Sequence, residues 1–365
     1  MLKPTRFALA VAALISSSAY AAPVPASLSA QQMLQQFNVV VTGDVSSTSH
    51  VDGRSYVGGN VVGGDYVQHI NDTPASAYAG LTVGGKLSGN VHVNGLGMVV
   101  GGDVQGITVN SGESYIGGNA SSSSLSGNAW VVGAADGINF GNLIHASSYT
   151  NMNLNDKVLN APTSNMNSTL AAATSTNFGN VMTGLSSQLS ALHGTSGASV
   201  DFSNSDHTVT FSGTAVNGVL VFDLTTLDSR IFSSTTAEFN FNLHGASTVI
   251  FNTNDANLSV SANFLGGSAQ ALGSKLIWNF AGASSVTVGA TFGGQVLVAN
   301  GSFSNINGAN VEGGVFAKSL NQYGEIHLQS FTGNLPAAPV PEPETYAMLL
   351  AGLGLMGAVA RRRKQ

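Results

Sequence analysis

The side chains that could carry chemistry are few and scattered. The densest acidic group is Asp201, Asp206, Asp223 and Asp228. Its carboxylates could contribute to a Ca²⁺ site, which takes six to eight oxygens, yet neither the EF-hand loop nor the glycine-rich calcium nonapeptide surrounds them. Solvated turn aspartates are the expectation. Eight histidines, His50, His69, His92, His145, His193, His207, His244 and His327, never stand at the i, i+4 spacing of a helical zinc site. Ser121 to Ser124 lacks the Gly-x-Ser-x-Gly elbow that presents a nucleophile. Cleaving a polysaccharide needs clustered acids, in a lyase with a basic partner, but between the termini there are only Arg54, Arg230 and four dispersed lysines. No catalytic residue, cofactor or metal ligand is therefore expected.

What must position these residues is a repeat. Tyr56-Val57-Gly58-Gly59-Asn60, Val62-Gly63-Gly64-Asp65, Thr82-Val83-Gly84-Gly85-Lys86, Val99-Val100-Gly101-Gly102-Asp103 and Tyr115-Ile116-Gly117-Gly118-Asn119 share one pattern, with a worn copy at Trp130-Val131-Val132-Gly133-Ala134. Each is a β-branched or aromatic strand, a glycine pair and a small polar residue. Glycine permits positive φ at a corner and lets neighbouring coils approach, while the polar residue can bond to backbone. Later steps of 21, 17 and 16 residues suit β-solenoid coils better than a sandwich, whose turns recur every 8 to 12 or so. A phosphate cradle is excluded because no Lys-Ser/Thr follows the glycines.

From Asn177 the pattern changes. Phe178, Val181, Met182, Leu185, Leu189 and Leu192 recur at helical spacing up to Gly194, with a further helix possible over 154–173 around Pro162. Strands return after Val200, with good alternation at Phe239, Phe241 and Leu243. Glycine numbers 45, charged residues are 8% and cysteine is absent, so a large core must hold the fold without disulfides.

Both termini read as addresses. Lys3 and Arg6, the apolar Phe7 to Ile15, and Ala19-Tyr20-Ala21 form a secretory signal peptide over 1–21, cut after Ala21. Its apolar run spans only about 14 Å as a helix against a hydrocarbon core of about 30 Å. At the other end a proline-rich linker over 336–344 contains Val340-Pro341-Glu342-Pro343; an uncharged stretch over 345–360 reads as a transmembrane helix, and 361–365 as a basic cytoplasmic tail in which Arg361, Arg362, Arg363 and Lys364 stop transfer. Without these termini six basic residues face sixteen acidic ones, a net charge of −10, which excludes nucleic acid as a partner.

The tail, in the order motif, apolar helix and basic stop, resembles the PEP-CTERM sorting signal. That resemblance implies exosortase as a processing partner, transient residence in the inner membrane of a Gram-negative cell, and a destination at the cell surface, in the matrix or in the medium. Residues Phe37 to Asp44, Asp52-Gly53-Arg54, Trp278-Asn279-Phe280, Gly294 to Ala299 and Phe331 to Pro336 resemble the choice-of-anchor A family. This implies a fold similar to ice-binding-like adhesive domains: mainly β, a right-handed β-solenoid with one or two helices packed alongside, and no family catalytic residues. The expected organisation is one domain over 22–335, with glycine-pair coils over 37–145, a helical segment over 150–195 and a strand-rich part over 198–333. The expected role is non-catalytic adhesion or matrix building in a biofilm, by contact with surface glycans or exopolysaccharide. A surface polysaccharide-processing enzyme and an ice-binding protein are the alternatives.

Overall fold

A computed structural model describes residues 26–337, together with Leu353 and Met356. The fold is mainly β: short parallel strands coil into a solenoid, with a few short helices beside it. The expected membrane helix over 345–360 lies outside the described residues except for Leu353 and Met356, which are helical and exposed. Among the described residues no helix is long and apolar enough to cross a membrane.

The coils do not stack in chain order. Val39–Val41 pairs in parallel with Ser55–Val57, which pairs with Leu81–Val83, and so on through Met98–Val100, Ser114–Ile116, Ala129–Val131 and Ile144–His145. A second block starts at Val219–Asp223 and returns through Thr248–Thr253, Leu276–Phe280 and Phe292–Asn305 to Val311–Gln322. That last strand pairs with Val39–Val41 and Val45–Ser47, and Ile326 pairs with Val51. The last coil therefore sits directly on the first, and the two blocks grow away from a shared seam.

In the first block the steps are 16, 26, 17, 16, 15 and 15 residues. The long step holds the excursion from Val67 to Gly80, and it corrects one part of the repeat. Gly63-Gly64 belongs to a different corner, between Val61–Val62 and Asp65–Tyr66, where both glycines have positive φ. At Gly58, Gly84, Gly101 and Gly117 φ is not left-handed; the constraint is space. A Cβ at Gly101 would lie 2.4 Å from the Gly84 carbonyl oxygen, so only a bare backbone lets successive corners nest. The polar residue after the pair bonds the next coil: Asp44 Oδ1 accepts from Asn60 N at 2.7 Å, Asn60 Oδ1 from Lys86 N at 2.9 Å, Asp103 Oδ1 from Asn119 N at 3.0 Å and Asn119 Oδ1 from Ala134 N at 2.9 Å. Lys86 interrupts this ladder and bridges it with Nζ 3.0 Å from Asp103 Oδ2.

The interior follows the strand period of two. Val45, Val61, Leu87, Val104, Ala120 and Ala135 are buried in one column that narrows as the coils shorten. The second block is wider and filled with aromatics, Phe222 stacking on Phe251 and Phe251 on Trp278 with centroids 5.1 and 4.0 Å apart.

One outer face is covered by helices. The helix α1 spans Ala30–Gln36 behind a Ser29/Gln32 capping box, α2 spans Ser164–Ala173 behind Thr163, and α3 spans Phe178–Ser190 behind Asn177. The last turn of α3 closes on Ala191, so the helix stops short of Gly194. Phe178, Met182, Leu185 and Leu189 form its apolar stripe, in a cluster with Met33, Leu34, Val40, Ile250, Ile277 and Phe316. Burial of each such side chain contributes roughly 1.5–3 kcal/mol. Beneath α3, Asn252 Nδ2 donates to Leu189 O at 2.7 Å, and Ser186 Oγ donates to Asn279 Oδ1 at 2.7 Å.

Candidate adhesive face

Among the described residues, a second outer face carries no helix. On it the inward column just described alternates with outward residues that lie in unbroken register across both blocks. From the wide end, Ser259 pairs with Thr287, Thr287 with Ser304, Ser304 with Asn321, and Asn321 crosses the seam to Ser46. The row continues through Val62, Ser88, Gln105, Ser121, Asp136 and Thr150. All eleven are at least partly exposed. Seven bear hydroxyls, two are amides, Asp136 is the one charge, and Val62 is the one apolar member. With neighbouring strands about 4.8 Å apart, the row is about 48 Å long. Hydroxyls and amides at fixed spacing can donate and accept hydrogen bonds to an ordered polar surface. A single carboxylate offers no acid–base pair.

The residues that could have supplied hydrolytic chemistry are engaged elsewhere. Arg54 is buried: Nε donates to the carbonyls of Tyr78 and Ala79 at 3.1 and 3.2 Å, and Nη1 to those of Gln36 and Pro74 at 3.2 and 2.7 Å. Burial lowers its pKa to about 10, which leaves it protonated at neutral pH. Arg230 Nε donates to Asp206 Oδ2 at 2.9 Å, and the guanidinium lies over the Phe202 ring. The acidic group of the sequence is dispersed as well. Asp223 Oδ1 accepts from Thr225, Asp228 Oδ2 accepts from Thr253 Oγ1, and Asp201 Oδ2 accepts from Ser199. In Ser121 to Ser124, Ser123 is buried and donates to Ser121 O at 2.7 Å, while Ser121 and Ser124 occupy different faces.

Sequence spacing missed a cluster on the third face. His50 leads the first coil's third strand, and Glu325 and His327 flank Ile326 in the last coil, so the seam brings them together. They border a cleft of about 480 Å³ whose walls include Asp52, His69 and Glu312. His327 Nδ1 lies 2.7 Å from Glu312 Oε1, and Nε2 lies 2.7 Å from Glu325 Oε2. The bonds to Glu312 and Glu325 raise its pKa to about 9. A test for helical spacing could not detect ligands on separate strands. The usable signal was Glu325-x-His327, which puts two side chains on one strand face.

With this geometry established, comparison with known proteins decides the family. A family model for the ice-binding-like adhesive domain matches residues 30–328. The chain belongs to the ice-binding-like adhesive domain family. Behind this adhesive domain, a model of the PEP-CTERM protein-sorting motif matches residues 339–364, which marks the chain as an exported, exosortase-processed cell-surface protein. No curated protein and no solved structure matches. The sorting residues Val340, Pro341, Glu342 and Pro343 and the basic Arg361, Arg362, Arg363 and Lys364 fall inside that motif match and outside the described residues, as do Ala19 and Ala21 at the other end.

Proposed function

We propose that the chain is a secreted or cell-surface adhesin of choice-of-anchor A type. It is a non-catalytic component of an extracellular matrix or biofilm that lays its open face on surface glycans or exopolysaccharide. One observation carries this reading: a row of eleven positions, ten of them polar, runs in register through both blocks of coils. Each hydrogen bond is worth only about 0.5–1.5 kcal/mol net, but many form together on a surface that is already rigid, so little ordering cost opposes them. Threonine occupies only two of the eleven positions, Thr287 and Thr150, which favours glycan over ice. The engagement of Arg54 and Arg230 favours adhesion over polysaccharide processing.

Delivery follows from the termini. The signal peptide is cut after Ala21, the domain over 22–335 is exported, and the segment over 345–360 holds it in the inner membrane until exosortase cuts near Val340 to Pro343. The test applies protein isolated from its host to glycan arrays and exopolysaccharide-coated surfaces. Saturable binding is expected, and a Ser46→Lys, Ser88→Lys, Ser121→Lys triple variant should weaken it at least tenfold while leaving the melting curve in place. Binding indifferent to these lysines, or hydrolysis of the polysaccharide, would overturn the proposal.

A further inference from the structure

We propose that His50, Glu325 and His327 form a binding site for a divalent transition-metal ion of the zinc type, clamping the first coil to the last. Each offers one ligand atom, and these atoms lie within 4.8 Å of one another. His50 Nε2 is 3.7 Å from Glu325 Oε1, and His327 Nε2 is 2.7 Å from Glu325 Oε2. Each imidazole thus faces a different oxygen of the Glu325 carboxylate, and a tetrahedral ion with bonds of about 2.0–2.1 Å needs ligands about 3.3 Å apart, which rotations of these partly exposed side chains from within 4.8 Å can reach. Two imidazoles and one carboxylate suit zinc rather than calcium or magnesium, which take oxygen. The fourth position opens into the cleft.

Two further features point to a cation. His327 presents Nε2 to the site while Nδ1 is held by Glu312 Oε1, the carboxylate–histidine–metal arrangement that fixes the tautomer and strengthens the ligand. Glu312 is 8% exposed, lines the same cleft, and its Oε2 is buried with no hydrogen-bond partner. A buried carboxylate oxygen left without a donor is costly, and a nearby dication would offset that cost. Asp52, 3% exposed, adds a third carboxylate to the wall. Glu325, Glu312 and Asp52 thus bring three carboxyl groups to the lining of one cleft. Glu312 is a positioning residue here, because it acts through His327.

The experiment titrates the full chain, purified in detergent and stripped with EDTA, with Zn²⁺ in a calorimeter, and follows melting in parallel. Binding of one equivalent is expected, with no comparable uptake of Ca²⁺ or Mg²⁺, and with a higher melting temperature because the ligands lie 275 residues apart across the seam. His50→Gln, whose partners are all long contacts, should keep the metal-free melting temperature and lose at least tenfold in affinity. Glu312→Gln should lose about tenfold to a hundredfold. His244→Gln, exposed and remote, should change nothing. Absence of saturable Zn²⁺ binding, or binding unaffected by His50→Gln, would overturn the site.

Discussion

Val39, in the first coil, lies in parallel register with Val315, in the last, and their side chains fill the same core. A chain that runs out to one end and returns from the other has made its middle the junction of its two ends. Asn38, immediately before, is the buried polar clasp of that junction: Nδ2 donates to Gly313 O at 2.6 Å and His327 O at 3.1 Å, and Oδ1 accepts from Gly53 N at 2.9 Å. Asn38→Ala leaves all three backbone groups without that partner and should cost about 2–4 kcal/mol in urea unfolding. A loss below about 0.5 kcal/mol would show that the seam does not depend on this amide.

Two glycine-to-alanine substitutions should act in opposite directions. Gly101→Ala drives a methyl into the Gly84 carbonyl and should destabilise by about 1–3 kcal/mol or more. Gly184 lies exposed in α3 with open space around its Cα, and Gly184→Ala should stabilise by about 0.5–1 kcal/mol. Thermal melts of the pair check both signs.

Arg54→Lys is not conservative here. A lysine ammonium carries its donors at one point and cannot reach the carbonyls of Gln36, Pro74, Tyr78 and Ala79 as the guanidinium fork does. Destabilisation of about 2–4 kcal/mol is expected, with protease cleavage concentrated in the 67–80 excursion that this side chain fastens.

His327 predicts a pH dependence in chelator-treated protein. Its pKa is raised from 6.5 to about 9 by Glu312 and Glu325, so the folded state holds its proton more tightly than the unfolded chain. The resulting stability is fully present below about pH 6.5 and is lost as pH rises through about 9. Denaturation midpoints should fall across that window in the parent chain, and more shallowly in His327→Gln. Equal slopes in both would disprove the assignment.

Much of the architecture was readable from the order of residues. Strand, glycine pair and small polar residue at steps of 16 or 17 already describe a coil, and Asn177 with its apolar stripe describes a helix start. Gly63 misled because a glycine pair is the same local word at a crowded corner and at a positive-φ corner, and only stacking separates them. The seam had no local signal, since pairing Val39 with Val315 is a matter of which coil ends meet. Everything built on it was therefore hidden too, including the approach of His50 to Glu325 and the continuity of Asn321 with Ser46. The alternation of Ser, Thr and Asn on strands was visible, but their alignment in one row depended on corner geometry.

The segment after Phe331 runs back along the helical layer, where Gln31 Nε2 donates to Gly333 O, Gln31 Oε1 accepts from Leu335 N, and Gln188 Nε2 donates to Pro336 O. A pull on the tail therefore enters from the flank, through α1 and α3, instead of at a tip. Tension is shared across the coils these helices rest on, and no terminal coil is peeled off first. On the adhesive reading proposed above, a domain loaded sideways in this way would keep its polar flank pressed to a substrate under shear, as a strip of tape holds when it is dragged and fails when its edge is lifted.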